Sequence, residues 1–290
     1  MKGVLTIFFC LSLLFASSQK PLPGGKIAFK GYIGDKLSVF VINSDGTDVQ
    51  QVIHDSIDIK SFDISPDGKE LAASIDGDVF IINIAGGSMK RLTYNRTTYL
   101  PRWSPNGKYI AFSDRFGEYI ELCVIDTGGL EYRRLTPFHT DELSISSTWG
   151  PDSKEIAFQG KGYDIFIVNL DHPSEIRQIT NTGSNTKGRK GLRMLHKLPS
   201  WSPDGKKIAY HAGLPMGESK SGIYMMNADG TNPTLIIKSS RAITDWSPDS
   251  KYLVIELRSD IYIINLKGEI ITNLTKNPSG RNYRPSWSLK

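Results

Sequence analysis

The stretch Trp201-Ser-Pro-Asp-Gly-Lys-Lys-Ile-Ala-Tyr210 decides the fold, because it recurs along the chain. Three near copies begin at Trp103, Trp149 and Trp246, and a weaker copy has Ile64 in place of the tryptophan. Measured at the proline position, from Pro23 to Leu289, the successive intervals are 43, 39, 46, 52, 45 and 41 residues. Six intervals of this length are typical of a repeat protein or a propeller.

Each repeat predicts four antiparallel strands. The first strand ends in the tryptophan, and the Pro-Asp-Gly or Pro-Asp-Ser sequence then forms a tight turn. A second strand follows, as in Lys207–His211, and a third alternates apolar residues, as in Ile223–Met226. A turn such as Asn227–Thr231 leads to a short fourth strand, as in Arg91–Thr93. The predicted fold class is therefore all-β, with each repeat forming one blade of a β-propeller.

The two ends of the chain carry complementary parts of a repeat. The first copy keeps only its tail, Pro23–Phe29, and Arg284–Ser288 supplies the inner strand that it lacks. Joined in one blade, these segments remove the open edges that a linear array would expose. We predict six four-stranded blades with the first closed by the C-terminal strand: 284–289 with 25–54, then 60–95, 100–138, 145–181, 198–238 and 242–277. An open solenoid is the alternative.

The N-terminus has the features of a secretory signal peptide. Lys2 precedes the apolar run Val4–Ala16, which is too short to span a bilayer, and small residues follow it. We predict a signal peptide over residues 1–18, a propeller over 19–290, and a periplasmic or secreted protein; an uncleaved anchor is the alternative. Cleavage would remove Cys10 and leave Cys123 as a buried hydrophobic side chain without a disulfide partner.

Composition and spacing argue against several classes of function. The 290 residues are 39% apolar and carry a net charge of +5, which is too diffuse to indicate nucleic-acid binding. The five histidines lack metal-ligand spacing, and no Gly-x-Ser-x-Gly motif occurs. We therefore expect no metal, no cofactor and no catalytic residue, and a monomer that is not integral to the membrane. The repeated aspartates, such as Asp204, are interpreted as turn caps.

The Trp-Ser-Pro-Asp-Gly-Lys-x-Ile-Ala-Phe/Tyr repeat resembles the WD40-like (PD40) repeat of the TolB propeller, which also occurs in prolyl oligopeptidase-type propellers. The resemblance covers residues 23–289, so we expect the chain to lack the α/β domain that TolB proteins carry ahead of their propeller. It implies a periplasmic protein whose propeller binds a lipoprotein such as Pal. A prolyl-peptidase-like hydrolase would need a further catalytic domain.

One face of the predicted propeller has an excess of basic residues. The loops between the second and third strands, and those from the fourth strand to the next blade, share this face, which we call the loop face. The Pro-Asp-Gly turns lie on the opposite face, the turn face. The basic excess predicts an acidic partner, although loop solvation alone also makes long loops polar. The predicted binding residues are Arg96, Arg102, Arg189, Arg193, His196, Arg241 and Arg284.

Three functions remain open from the sequence. The first is a non-enzymatic periplasmic binding protein whose loop face docks an acidic protein or another cell-envelope component. The second is a carbohydrate-active or hydrolytic enzyme with a site built from loops. The third is a structural subunit of a larger envelope complex. Function is argued from a site, and the sequence alone displays no catalytic site, so the first hypothesis is favoured.

Overall fold

A computed structural model of the chain describes residues 21–33, 36–53, 57–136, 145–181, 195–214, 217–239, 243–276 and 281–290. The predicted signal peptide lies outside these residues. The described strands form six four-stranded antiparallel sheets, one for each repeat. The all-β class and the six-bladed β-propeller predicted from the repeat are thus confirmed.

The strands follow the chain from the inner to the outer edge of each blade. Blade 1 contains β24 (Tyr283–Trp287), β1 (Lys26–Ile33), β2 (Lys36–Asn43) and β3 (Gln50–Ile53). Blade 2 contains β4 (Ile59–Ile64), β5 (Glu70–Ile75), β6 (Asp78–Asn83) and β7 (Met89–Arg91). Blade 3 contains β8 (Thr98–Trp103), β9 (Tyr109–Phe116), β10 (Tyr119–Asp126) and β11 (Tyr132–Arg134).

The other three blades repeat this order. Blade 4 contains β12 (Ser147–Trp149), β13 (Glu155–Gln159), β14 (Ile165–Asn169) and β15 (Ile176–Gln178). Blade 5 contains β16 (Leu195–Trp201), β17 (Lys207–Leu214), β18 (Gly217–Asn227) and β19 (Thr234–Lys238). Blade 6 contains β20 (Thr244–Trp246), β21 (Tyr252–Leu257), β22 (Asp260–Asn265) and β23 (Ile270–Asn273). A short 3₁₀ turn, Lys161–Tyr163, precedes β14.

The C-terminal strand closes the ring. β24 pairs with β1 in blade 1, with Trp287 opposite Ile27, and the Lys26 amide donates a 2.8 Å hydrogen bond to Ser288 Oγ. This pairing removes two free strand edges and confirms the predicted closure of the first blade.

The hydrophobic core lies between the blades. The buried apolar residues form six clusters, and each cluster joins two neighbouring blades. One of them packs Ile27 and Ile42 of blade 1 against Val254 and Ile263 of blade 6. Because apolar burial is the main stabilising term in folding, the closed ring has six equivalent sources of stability.

The Pro-Asp-Gly turn is held by its own polar side chains. Asp204 Oδ1 accepts hydrogen bonds from Ser202 Oγ at 2.7 Å and from the Lys206 amide at 3.0 Å. Ser202 Oγ also accepts the Lys207 amide at 2.9 Å, and Gly205 has a φ of 75°. The same capping recurs at Asp67, Asp152 and Asp249. These aspartates are turn caps, as predicted.

A threonine after the fourth strand ties that strand to the start of the third. Thr93 Oγ1 accepts the Val79 amide at 2.8 Å and donates to Asp78 Oδ1 at 3.2 Å. Equivalent amide bonds are accepted by Thr136, Thr180 and Thr275. The repeated Leu-Thr or Ile-Thr sequence therefore has a structural role.

Candidate functional site

The inner strands of the six blades place two sets of residues around a central channel. The residue directly before each tryptophan, or before Ile64, forms what we call the central ring: Asp63, Arg102, Thr148, Ser200, Asp245 and Ser286. The residue two positions earlier forms the loop-face ring: Ser61, Leu100, Ser146, Leu198, Ile243 and Arg284. Cavities of about 190 Å³ on the turn face and about 20 Å³ on the loop face adjoin these rings.

Arg102 lies between two carboxylates in the channel and lines both cavities. Its Nη1 donates a 3.0 Å hydrogen bond to Asp63 Oδ1. Burial alone would lower the pKa of Arg102, but Asp63 and Asp245 raise it above its ordinary value. Burial raises the pKa of Asp245, and the charge of Arg102 opposes this effect. Arg102 therefore stays charged and compensates the central aspartates.

The polar side chains of the central ring also connect neighbouring blades. Four members accept a hydrogen bond from the next blade, and the donor is the backbone amide of the residue at the tryptophan position. The pairs are Trp103 to Asp63 at 2.8 Å, Trp201 to Thr148 at 3.1 Å, Trp287 to Asp245 at 2.9 Å and Ile64 to Ser286 at 3.2 Å. Hydrogen bonds to carboxylates are among the stronger ones in proteins. The central aspartates are thus engaged in holding the blades together.

The loop-face ring contains unusual backbone geometry. Leu100, Leu198 and Arg284 have φ values of 56°, 54° and 56°. The strand register shifts beside each of them, which is the signature of a β-bulge. A left-handed residue other than glycine costs of order ~1–3 kcal/mol, and such residues concentrate at functional sites. Three such residues around one mouth favour this mouth as the site.

Arg284 is the one charged member of the loop-face ring. Within the described part of the chain no carboxylate forms an ion pair with its guanidinium group, although its backbone amide donates to Glu256 Oε2 at 3.3 Å. Burial, followed by the charge of Arg102, lowers the pKa of Arg284, and the charge of Glu256 opposes this effect. The loop-face mouth therefore presents a half-buried cation that has no ion-pair partner among the described residues and is compensated only in part by Glu256.

The turn-face cavity is larger but is built from the residues that define the repeat. Its walls include four prolines of the turns and four channel tryptophans: Pro66, Pro105, Pro151, Pro203, Trp103, Trp149, Trp201 and Trp287. Most of these tryptophans also bond the backbone, as Trp149 Nε1 does to the Arg102 carbonyl at 3.0 Å. The volume of this cavity follows from the fold, so we place more weight on the irregular loop-face ring.

The four predicted binding residues that the structure describes do not form a single cluster. Arg102 belongs to the central ring in the channel, whereas Arg284 belongs to the neighbouring ring at the loop-face mouth. Arg96 is exposed on the loop face, where its amide donates to Asp78 Oδ1 at 3.0 Å. Arg189, Arg193 and Arg241 lie outside the described residues. His196 is buried between blades 4 and 5, away from the channel.

Sequence reasoning missed Asp63 and Asp245, and it missed the apolar members of the loop-face ring. Aligning the repeats on the tryptophan would have found them, because the position before it is charged in blades 2, 3 and 6. That alignment gives the residues of each ring. It does not give the pairing of Asp63 with Arg102, which depends on how the neighbouring blades 2 and 3 are arranged around the channel.

Similarity to solved structures agrees with this architecture. TolB from Acinetobacter baumannii matches with a TM-score of 0.76 and 19% sequence identity, over 91% of this chain and 66% of that one. The fold is a TolB-like six-bladed β-propeller. No family model matches the chain.

Curated relatives match over part of their length. The Tol-Pal system protein TolB of Francisella tularensis subsp. mediasiatica is 26% identical over 236 residues, which are 66% of this chain and 54% of the relative. Dipeptidyl-peptidase 5 of Porphyromonas endodontalis is 22% identical over 253 residues, which are 79% of this chain and 35% of the relative. The chain thus spans about half and about a third of these two proteins.

The described residues include no helix that is long and apolar enough to cross a membrane. Nor do they contain a group of three histidine, cysteine, aspartate or glutamate side chains arranged to hold a metal ion.

Proposed function

We propose that this chain is a non-enzymatic binding protein of the bacterial periplasm that docks an acidic protein against the loop-face mouth of its channel. The similarity to TolB, a protein of the Tol-Pal system, supports a role in the cell envelope and makes a Pal-like lipoprotein the partner that we propose. The site consists of the loop-face ring with Arg284, backed by Arg102 and flanked by Arg96.

The guanidinium group of Arg284, which has no ion-pair partner among the described residues, carries this proposal. Burying a charged side chain without a partner costs free energy. Such a side chain is retained where a ligand supplies the opposite charge. Arginine also binds carboxylates through two parallel hydrogen bonds, which fixes the orientation of the partner as well as its charge. A carboxylate of a docked protein would take the position that the described residues leave open.

The neighbours of Arg284 suit a protein surface. Leu100, Leu198 and Ile243 line the same cavity as Arg284 and Arg102, so the mouth combines cationic side chains with apolar ones. Binding energy at protein interfaces concentrates in such central pockets, where an arginine or aromatic residue is shielded from water by apolar neighbours. A partner with an acidic residue between aliphatic residues fits this ring.

The enzymatic alternative has less support from the channel. Asp63 and Asp245 are the carboxylates nearest to its centre, and both accept backbone amides from neighbouring blades. Asp63 also binds Arg102. A catalytic acid or base must be free to exchange a proton with a substrate. These interactions assign the two aspartates a structural role.

Site-specific crosslinking tests the proposal. A photoreactive amino acid replaces Arg96 on the loop face or, as the matched control, Lys206 on the turn face; both side chains are exposed. Irradiation in intact cells that produce this protein should capture one envelope protein from position 96 and none from position 206. Mass spectrometry should then show an acidic contact surface on the captured protein. Capture from position 206 alone would reject the loop face as the docking surface.

A further inference from the structure

A second cavity, separate from the channel, lies between blades 4 and 5. It has a volume of about 250 Å³. Tyr210, Tyr224 and Met226 line it from blade 5, and Ile179 and Thr180 line it from blade 4. The exposed residues Asn181 and Pro233 form part of its rim. The proposed docking site does not share any of these residues.

The hydroxyl group of Tyr210 has no hydrogen-bond partner within the described chain, and the residue lines this cavity while only 3% exposed. Its ring stacks on Tyr224 at a centroid distance of 5.9 Å and meets His196 edge-on at 5.2 Å. Burial raises the pKa of Tyr210, so the phenol is neutral at physiological pH. The hydroxyl oxygen is not sealed inside the protein but opens onto the cavity, where it can donate to and accept from a molecule that enters.

The repeats show that packing alone does not require this hydroxyl group. The position equivalent to Tyr210 is phenylalanine, isoleucine or alanine in the other blades: Phe29, Ala73, Phe112, Phe158 and Ile255. In blades 1 and 4 the same stacked pair is made by two phenylalanines, at 5.5 Å and 5.8 Å. The tyrosine of blade 5 therefore adds a polar atom to an otherwise apolar position.

The polar residues next to Tyr210 are spaced differently from their counterparts between blades 6 and 1. Between blades 6 and 1, Asp260 binds Thr275 at 2.8 Å and Asn282 at 3.4 Å. Between blades 4 and 5, Asp164 binds Thr180 at 3.1 Å, but His196 Nδ1 is 4.0 Å away. The imidazole ring is turned toward Tyr210 and lines the cavity.

We propose that this cavity, bounded by Tyr210, Tyr224, His196 and Met226, binds a single pyranose residue of a glycan. Pockets for drug-sized ligands measure roughly 300–1,000 Å³, so about 250 Å³ fits a ligand of one ring. Sugars combine an apolar face for aromatic side chains with hydroxyl groups that both donate and accept, as the Tyr210 hydroxyl does. Asp164 is 2% exposed and already bound to Thr180 and Gln178, which favours a neutral sugar over a cation.

Methyl NMR of the methionine side chains gives a local readout. Met226 lines the cavity, whereas Met89 lies in blade 2 and serves as the internal reference. Methyl β-D-glucopyranoside and N-acetylglucosamine are titrated to millimolar concentrations, and indole is the apolar comparator. At least one of the two sugars should shift the Met226 methyl resonance in a saturable manner and leave Met89 unchanged. Weak binding is expected because the ligand is small.

Two matched variants test the role of the hydroxyl group. Tyr210→Phe removes one oxygen and reproduces the residue found in other blades, so it should fold with unchanged stability and weaken sugar binding about tenfold, because a sugar hydroxyl then loses its partner. Tyr262→Phe makes the same change in blade 6 and should bind sugar as well as the parent protein.

Three outcomes would overturn the proposal. They are a Met226 resonance that does not respond to either sugar, one that responds to indole alone, and an equal response in Tyr210→Phe and the parent protein. The experiment is independent of the docking proposal, since Arg96 and Arg284 lie outside this cavity. If crosslinking from position 96 fails, the sugar titration can still be interpreted. If the sugar titration fails, the crosslinking result still stands.

Discussion

The two mouths of the channel are formed by the same six inner strands but by different kinds of residue. The turn-face mouth is lined by the prolines and tryptophans that recur in the repeat. The loop-face mouth has serine, leucine, isoleucine and arginine at one equivalent position, with left-handed backbone at Leu100, Leu198 and Arg284. Residues that recur in every blade stabilise the fold, whereas residues that differ between blades are available to recognise a partner.

This difference predicts that substitutions at the turn face reduce stability and that those at the loop face affect binding. The channel between the two mouths, where Arg102 meets Asp63, should behave as part of the turn face. Four measurements test this division, beginning with the largest expected effect.

Trp246→Ala should destabilise the protein by about 3–5 kcal/mol, because truncating a large buried aromatic leaves a cavity. Trp246 is 1% exposed, and its Nε1 donates to the Ser200 carbonyl at 2.9 Å. Trp149→Ala and Trp201→Ala should fall in the same range. Chemical denaturation measures these values. One tryptophan variant with full stability and a lost ligand would show that the turn face also takes part in recognition.

Asp63→Asn should cost about 3 kcal/mol, because it leaves the charge of Arg102 poorly compensated in a buried position. The asparagine can still accept the Trp103 amide, so the loss reports mainly on the charge. The double variant Asp63→Asn/Arg102→Met should recover part of that stability in a double-mutant cycle. If the two changes are simply additive, the Asp63–Arg102 pair does not stabilise the channel.

The third prediction concerns pH and Lys30, which lies beside the loop-face mouth. Its Nζ donates to the Ile59 and Lys60 carbonyls, and burial, followed by the charge of Arg284, lowers its pKa to about 8. In the unfolded chain the pKa is 10.5. Between these values the unfolded state binds more protons, so the free energy of unfolding should rise with pH, by on the order of 2–3 kcal/mol.

Lys30→Met isolates this contribution, because the variant should lack the rise between pH about 8 and 10.5 that the parent shows. The control is Lys206→Met, on the exposed turn face, which should keep it. The measurement is a series of urea unfolding curves across that window. A parent curve that is flat relative to Lys30→Met would mean that Lys30 is as well solvated in the fold as in the unfolded chain.

Arg284→Gln should have the smallest effect on stability, within ~0.5 kcal/mol or slightly favourable, because the guanidinium group that it removes has no ion-pair partner among the described residues and is repelled by Arg102. Association with the crosslinked envelope protein should slow severalfold at low salt and less at high salt, since charge complementarity acts mainly on the association rate. Stopped-flow binding measures this rate. If Lys206→Gln on the turn face slows association equally, the partner does not bind through the loop-face mouth alone.

The fold could be predicted from the sequence because its signals are local and repeated. Trp201, the Pro-Asp-Gly turn and the following apolar strand act over about ten residues, and the turn caps at Asp204 match the predicted chemistry. The closure by β24 was also predictable, since Pro23–Phe29 and Arg284–Ser288 are complementary fragments of one repeat.

The candidate site could be predicted only in part. Arg284 and Arg102 were identified by charge and by their position before a tryptophan, but their different depths depend on a bulge that the sequence does not signal. His196 was predicted to bind with the arginines, yet it packs on Tyr210 in another part of the molecule. Contacts between blades join residues about 40–50 positions apart, such as Asp63 and Arg102, and pattern reasoning along one strand does not show them.

The pairing of β24 with β1 sets the order in which the molecule can assemble. Lys26 and Ser288 are bonded although they are 262 positions apart in the chain, whereas the hairpins of blades 2 to 6 join neighbouring segments. Long-range pairing is slow because the entropic cost of closing the loop comes before the stabilising contacts form. Blade 1 is therefore the last to be completed, although its first strand is made early. Until β24 has been made, the apolar surface that it covers stays open to water and to other chains, so a nascent copy is most prone to aggregate before this strand is added.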